Sequence, residues 1–247
     1  MLIPPVLRHA SLDSTNAEAR RLAETGEGGP LWITAGVQTA GRGRRGRAWS
    51  SEAGNLAATL LLTSELKPAE AAQIAFVAAL AVADVFDAFT PASLVRIKWP
   101  NDVMIDGRKA AGILVESGAR AGGGLWLAVG CGLNLNHAPA DTERPATRAA
   151  DHLRGDVTAA PTAEAALQVL IEAFARRLES WTVYGFEPVA AAWSARAMGL
   201  GEPCIARLGQ ETVEGVAEGL DSDGALRLRT SGGLRRITAG DVFPVEG

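Results

Sequence analysis

Hydrophobic positions are grouped along this chain in two textures. Up to about residue 198, apolar runs of strand length are interspersed with longer stretches of helical spacing. Beyond Gly199 the runs shorten and are punctuated by Gly209-Gln210, Asp223-Gly224 and Gly232-Gly233. Residues 7–10 start a strand, and Asp13-Ser14-Thr15-Asn16 then offers several helix caps, with Glu18 three residues after Thr15 as in a capping box. The spacing predicts a helix over 16–25, ended by Gly26. Residues 31–35 read as a strand, 37–54 as a polar segment rich in Gly and Arg, and 55–63 as a buried strand. An Ala-rich helix over 68–89 opens with Pro68, where a missing N–H costs least. Strand-like runs follow at 94–99, 103–105, 110–116 and 125–129. Asp106-Gly107 between two of them is a strong hairpin signal. Helical spacing returns at 162–181 and 188–198. Strands clustered before helices, without strict alternation, predict an α+β fold. The change of texture divides the chain into a larger unit, 1–198, and a small β-barrel appendage, 199–247.

Composition narrows the function classes. With 247 residues, 47% of them hydrophobic, and a formal net charge of -4, the chain can bury a substantial core. Its acidity argues against a general nucleic-acid binder, which carries basic excess for phosphate neutralisation. The most apolar helical stretch, 74–82, lies between Gln73 and Asp84, short of the ~20 residues that span a bilayer, so a buried helix and no membrane partner are expected. The N-terminus lacks the basic and apolar regions of a secretory signal, and a cytoplasmic address follows as an expectation. Cys131 and Cys204 have no CxxC spacing and read as buried free thiols. His9, His137 and His152 lack the short-spaced partners of zinc sites.

One segment stands out against this acidic background. Gln38-Thr39-Ala40-Gly41-Arg42-Gly43-Arg44-Arg45-Gly46-Arg47 holds four arginines within six residues. Its GxGxxG, at Gly41, Gly43 and Gly46, would need a helix directly afterwards to act as a dinucleotide fingerprint, and residues 47–54 lack helical spacing. Taken alone, such a run is more often a solvated or nucleic-acid-contacting loop. The alternative is a loop that surrounds anions with guanidinium groups. Three further segments bear on that choice. Lys98-Trp99-Pro100-Asn101-Asp102 closes a strand with what could pass for ordinary turn chemistry. Residues 107–116 place Lys109 at the start of an apolar strand, and Gly130-Cys131-Gly132-Leu133-Asn134-Leu135-Asn136 ends another with glycines that allow close backbone approach.

In order and content, these segments together with Asp13-Ser14-Thr15-Asn16 resemble the signature of biotin protein ligases. The resemblance covers residues 13–136 closely. Residues beyond Gly199 look like that family's SH3-like C-terminal domain, while 137–198 are similar only in helical texture. It implies a catalytic domain like those of class II aminoacyl-tRNA synthetases and biotin-lipoate ligases, with a mixed or antiparallel central sheet. It also implies a two-step reaction: biotin and ATP give biotinyl-5'-adenylate and pyrophosphate, and a lysine of a biotin carboxyl carrier domain then takes the biotinyl group. Carried over by residue, Ser14, Thr15, Asn16 and Gln38 would bind biotin's ureido ring and its neighbourhood, and Arg42, Gly43 and Arg44 would belong to a loop that orders over biotin and its adenylate. Lys109 would contact the carboxylate and phosphate, making it, with Arg44, the catalytic choice. Trp49, Asn101, Asp102 and Asn134 would serve ATP, with Asp102 as ligand of Mg²⁺.

Two other readings compete with this one. A lipoate-type ligase shares fold and adenylation chemistry, yet an Arg-Arg-x-Ser-Gly-Gly-Gly segment is not found. A biotin-sensing transcriptional regulator would need a DNA-binding domain, and about a dozen residues before Asp13 are too few to build one, so no DNA partner is expected. Monomer and homodimer both stay open.

Overall fold

The computed structural model describes residues 4–245 except 141, 143, 144 and 210. Strand β1 (Val6–Leu12) leads into helix α1 (Thr15–Glu24), then β2 (Leu31–Gln38) and β3 (Leu56–Ser64). A single helical turn, α2 (Pro68–Ala71), precedes the long α3 (Ile74–Phe89). Strands β4 (Val95–Lys98), β5 (Asp102–Ile105), β6 (Arg108–Ala119) and β7 (Leu125–Leu133) follow, then helices α4 (Ala163–Tyr184) and α5 (Phe186–Arg196). These seven strands form one sheet in the order β1-β2-β3-β7-β6-β5-β4. Only β1 and β2 run parallel, joined by the crossover helix α1; the other neighbours are antiparallel. The expected mixed sheet of an α+β fold is present.

Local chemistry accounts for several joints. Asp106 and Gly107 both adopt positive φ, 50° and 71°, so β5 and β6 are linked by the two-residue turn whose twist matches the strands. Gly26, at φ 100°, ends α1 as expected. The capping box on Thr15 does not form. Ser14 is the N-cap, accepting from the Ala17 N–H, while Glu18 takes a bond from Arg21 and the Thr15 hydroxyl turns to Gln38. Strand β7 continues four residues past its predicted end through Gly130-Cys131-Gly132, because partners on both sides, β3 and β6, pair with it there and override the low strand propensity of glycine. Helix α5 starts at Phe186 rather than 188. Pro188 falls within its first turn, where a missing donor is harmless.

One sheet face packs on α3 and α4. Trp32, Leu56, Ala58, Leu60, Val129 and Leu133 join Val77, Leu80, Phe86 and Phe174 in the main core. With α2 included, the run Pro68–Phe89 is long and apolar enough in composition to match a membrane-crossing helix, yet 67% of its most apolar window is buried inside the molecule. Asp84, which bounds the apolar stretch 74–82, lies inside α3, in keeping with the helix predicted over 68–89. Arg177 of α4 holds Asp84 at 2.9 Å and Arg196 of α5 holds Asp87 at 2.5 Å. The opposite sheet face carries α1 over a smaller cluster of Ala19, Ile33, Leu61, Trp126 and Ala128.

Strands β8 (Pro203–Leu208), β9 (Glu211–Leu220), β10 (Leu226–Thr230), β11 (Gly233–Ile237) and β12 (Asp241–Pro244) form the small β unit, an antiparallel sheet ordered β11-β10-β9-β8-β12. Gly209, Gly224 and Gly233 take positive φ at its turns, while Gln210 lies outside the described residues. Its inner residues, among them Cys204, Ala206, Leu226 and Leu228, are continuous with the main core. Trp99 Nε1 donates to the Gly224 carbonyl at 3.3 Å across the junction.

Candidate functional site

The α1 face of the large sheet is left open next to the helix N-terminus, and a cleft of about 440 Å³ lies there. Strand register explains its floor. Lys98, Asp102, Gly112, Gly132, Ala57 and Ala35 are successive cross-strand partners from β4 to β2, so their side chains share one face. The next row on that face is Leu114, Gly130, Thr59 and Ile33. The middle of this surface is therefore bare backbone. A Cβ at Gly130 would lie 2.2 Å from Asn16 Oδ1, and one at Gly132 would lie 2.5 Å from the Trp49 indole, which rests on the strand. These positions admit only glycine while Asn16 and Trp49 stay where they are.

At one end the cleft is neutral and hydrogen-bonding. Ser14, Thr15 and Asn16 at the start of α1 are buried, as is Thr59. The Thr15 N–H and hydroxyl both donate to Gln38 Oε1, at 2.8 and 3.1 Å, and Gln38 Nε2 donates to Ser51 at 2.7 Å. The Thr59 hydroxyl reaches Thr15 Oγ1 at 2.8 Å and Asn16 Oδ1 at 2.7 Å. Asn16 Nδ2 donates to Glu116 at 2.8 Å and to the Leu114 carbonyl at 3.2 Å. The Asn16 carboxamide is thus engaged on both its atoms, and it shapes the wall as much as it offers itself to a ligand. Arg42, the first loop arginine, stands 3.6 Å from the same Glu116.

The other end is charged. Lys109 Nζ lies 2.7 Å from Asp102 Oδ1 and 5.5 Å from the centre of the Trp49 ring, a cation over a π face. Arg44 Nη1 donates to Asn101 Oδ1 at 3.1 Å, and Asn101 Nδ2 to the Ile113 carbonyl at 2.8 Å. Burial pulls the Arg44 guanidinium below its ordinary pKa, against the opposing pull of Asp241. After Gly46 the chain is extended, and no helix follows to complete a dinucleotide fingerprint. Asn134, 3% exposed, donates to the Thr147 carbonyl at 3.1 Å and ties the segment after β7 to the cleft edge.

Every predicted site residue, Ser14, Thr15, Asn16, Gln38, Arg42, Gly43, Arg44, Trp49, Asn101, Asp102, Lys109 and Asn134, lines this one cleft. The sequence reading missed Thr59, Gly112 and Asp241. A hydroxyl inside the apolar run of β3 was a usable signal for Thr59. Asp241 offered none, being one acidic residue almost 200 positions from the loop it meets. Cys131 sits between two floor glycines but belongs to the core on the far side of the sheet, where burial pushes its thiol up to about 12 and keeps it protonated.

The sequence matches the Biotin/lipoate A/B protein ligase family over residues 10–136 and the Biotin protein ligase C terminal domain over residues 199–243. It is 47% identical over 236 residues to the biotin–acetyl-CoA-carboxylase ligase of Paracoccus denitrificans, covering 95% of this chain and 98% of that protein. Among solved structures it is similar to the biotin protein ligase of Leishmania major in complex with biotinyl-5-AMP, with a TM-score of 0.67, 26% identity, and coverage of 96% of this chain and 99% of that one. The biotin protein ligase from Aquifex aeolicus in complex with biotin and ATP shares the fold at a TM-score of 0.80 and 24% identity, over 98% and 99% of the two chains. With its catalytic-domain motifs gathered in one cleft and both characteristic domains matched, this chain belongs to the biotin protein ligase family.

Proposed function

We propose that the cleft activates biotin with ATP to biotinyl-5'-adenylate and passes the biotinyl group to a lysine of a biotin carboxyl carrier domain, that of acetyl-CoA carboxylase by analogy with the Paracoccus relative. The observation that carries this reading is the division of one cleft into a neutral amide-and-hydroxyl end and a cationic end, separated by a glycine floor. A ureido ring is neutral and needs hydroxyl and amide partners, whereas a carboxylate meeting a triphosphate needs fixed positive charge.

In the first step a carboxylate oxygen of biotin bonds to the α-phosphorus while the bond from that phosphorus to the β-phosphate breaks, releasing pyrophosphate. Lys109 is the ammonium for this encounter, held by Asp102, and Arg44 adds a second charge beside Asn101. In the second step the carrier amine bonds to the biotinyl carbonyl carbon, AMP leaves with the electron pair of the broken anhydride bond, and the amine's proton goes to solvent. Arg42, Gly43 and Arg44 form the cover that limits water's access to the anhydride between steps. Trp49 and Asn134 flank the nucleotide. Asp102 and Asp241 are the carboxylates that line the cleft, and no three His, Cys, Asp or Glu side chains gather as a metal cage among the described residues. That donor set suits a magnesium ion that keeps waters and phosphate ligands, with Asp102 as its protein carboxylate. Magnesium supplies charge neutralisation on the triphosphate. An enzyme consuming ATP in this way is assigned to the cytoplasm as part of the same proposal.

The test mixes purified protein with biotin, MgATP and an apo carrier domain. The expected result is pyrophosphate release and a carrier heavier by one biotinyl group, with no product when lipoate replaces biotin. Lipoate turnover, or no adenylate from biotin, overturns the reading.

A further inference from the structure

The loop that brings arginines to the cleft does not end its contacts at the large sheet. Asp241, the first residue of β12, meets three of its side chains. Arg47 is bonded to Oδ2, Arg45 stands 3.4 Å from the same oxygen, and Arg44 stands 3.8 Å from Oδ1. The Gly240 carbonyl accepts from Arg44 Nη2 at 3.3 Å. This backbone is pressed against β8, since a Cβ at Gly240 would lie 2.7 Å from Leu208 Cδ2 and 2.9 Å from the Arg207 carbonyl. The Asp241 side chain is 15% exposed.

The rest of the small sheet sharpens the contrast. Four of its arginines pair with carboxylates of the same unit, Arg227 and Arg229 with Glu218, Arg235 with Glu211, and Arg236 with Asp221 and Asp223, while Arg207 lies over the Phe243 ring at 4.2 Å. What this unit presents to the cleft is a negative charge in the midst of positive ones.

We propose that Asp241 is a positioning residue for adenylation: its carboxylate gathers Arg44, Arg45 and Arg47 into one cluster at the triphosphate end of the cleft before nucleotide arrives. The proposal rests on the adenylation reading above. Three guanidinium groups within four residues repel one another, and a loop with no anion between them spreads them apart. One carboxylate removes that repulsion and still leaves the cluster net positive, so it remains attractive to phosphate. A cluster gathered beforehand spares the nucleotide the cost of gathering it, a gain shared by bound triphosphate and transition state, so it shows in KM rather than in kcat. Burial acts to raise the Asp241 pKa, but the guanidiniums of Arg47, Arg44 and Arg45 outweigh it and hold the carboxyl below its ordinary value, so the charge is present at neutral pH.

The test compares wild type with Asp241→Asn, Asp241→Glu, Arg47→Gln and the Asp241→Asn/Arg47→Gln pair. For Asp241→Asn the expected result is a KM for MgATP raised roughly tenfold in biotin-dependent pyrophosphate exchange, the size of one charge-assisted hydrogen bond, with kcat and the biotin Kd changed less than about threefold. Trypsin should cut the ligand-free variant after Arg44, Arg45 or Arg47 several times faster than wild type, with Asp241→Glu restoring most of the protection. In the pair, Arg47→Gln should add less than it does alone. An unchanged or lowered KM for MgATP, equal cleavage rates, or additive effects overturn the proposal. The proteolysis readout needs no activity, so it fails independently of the adenylation reading, which would instead fail in the wild-type protein. If Asp241→Asn does not fold, Arg47→Gln carries the comparison through its KM for MgATP and its cleavage after Arg44 and Arg45, the sites it retains.

Discussion

The two ends of the cleft are held in place by different means. The neutral end is built from short-range geometry: a helix cap, the two residues after it, and hydroxyl and amide bonds closed among Thr15, Gln38, Thr59, Asn16 and Glu116. The charged end is assembled from three separate pieces, a strand lysine, an arginine loop and the first residue of a strand in the small sheet. A closed network of buried bonds gives a site of fixed shape. A cluster of partly exposed ion pairs gives one that responds to an incoming anion. On the proposed reading, recognition of the vitamin belongs to the closed network and the chemistry to the ion-pair cluster.

The largest expected effect tests that division directly. Lys109→Ala should lower kcat for adenylate formation by about 10²–10³, the scale on which removal of a transition-state charge partner acts, while biotin affinity measured calorimetrically changes little. It should also lower stability by about 1 kcal/mol, because Asp102 loses its ammonium while water can approach through a side chain that is 29% exposed. Equal losses in biotin binding and turnover would erase the distinction between the ends. Gly130→Ala is the mirror experiment. Its new methyl falls on Asn16, so biotin should bind some 30-fold more weakly, about 2 kcal/mol, with the KM for ATP nearly intact. A smaller effect is expected of Thr59→Val, which keeps the shape and removes the bonds to Asn16 and Thr15. Thermal unfolding should report about 1–2 kcal/mol of lost stability, and the biotin Kd should rise. An unaffected Kd would mean that the network is scaffold alone.

The mildest effect is pH dependence. The folded-state pKa of Asp241 is depressed, so its ion pairs stabilise the protein above the unfolded carboxyl value, near 4, and that stability is lost as pH falls through the folded value. Wild type should lose more stability than Asp241→Asn between pH 5 and 2. Parallel acid limbs would show that the three guanidiniums do not act on this carboxylate in solution.

Legibility in the sequence followed the same division. Asp106-Gly107, Gly26 and the Ala-rich helix carry their meaning locally, in turn chemistry or spacing, and they were readable, whereas the four site segments were legible only together, through their resemblance to a family. The capping box on Thr15 misled, because its residues fit a local rule while Gln38 and Arg21 offered the side chains other partners. Asp241 was invisible because a bond that joins distant segments leaves no period and no motif, only an isolated polar residue that resembles any other, whereas Thr59 did leave a signal as a hydroxyl inside an apolar run.

The bare stretch of β6 and β7 sets a limit of its own. Where Gly112, Gly130 and Gly132 lie side by side, the partition between the reaction chamber and the core is a single layer of peptide. Enlarging the chamber to accept bulkier acyl donors cannot be done by trimming side chains there, since none remains to be trimmed. Any broadening of substrate range must come from the roof, where Trp49 and the arginines can move aside.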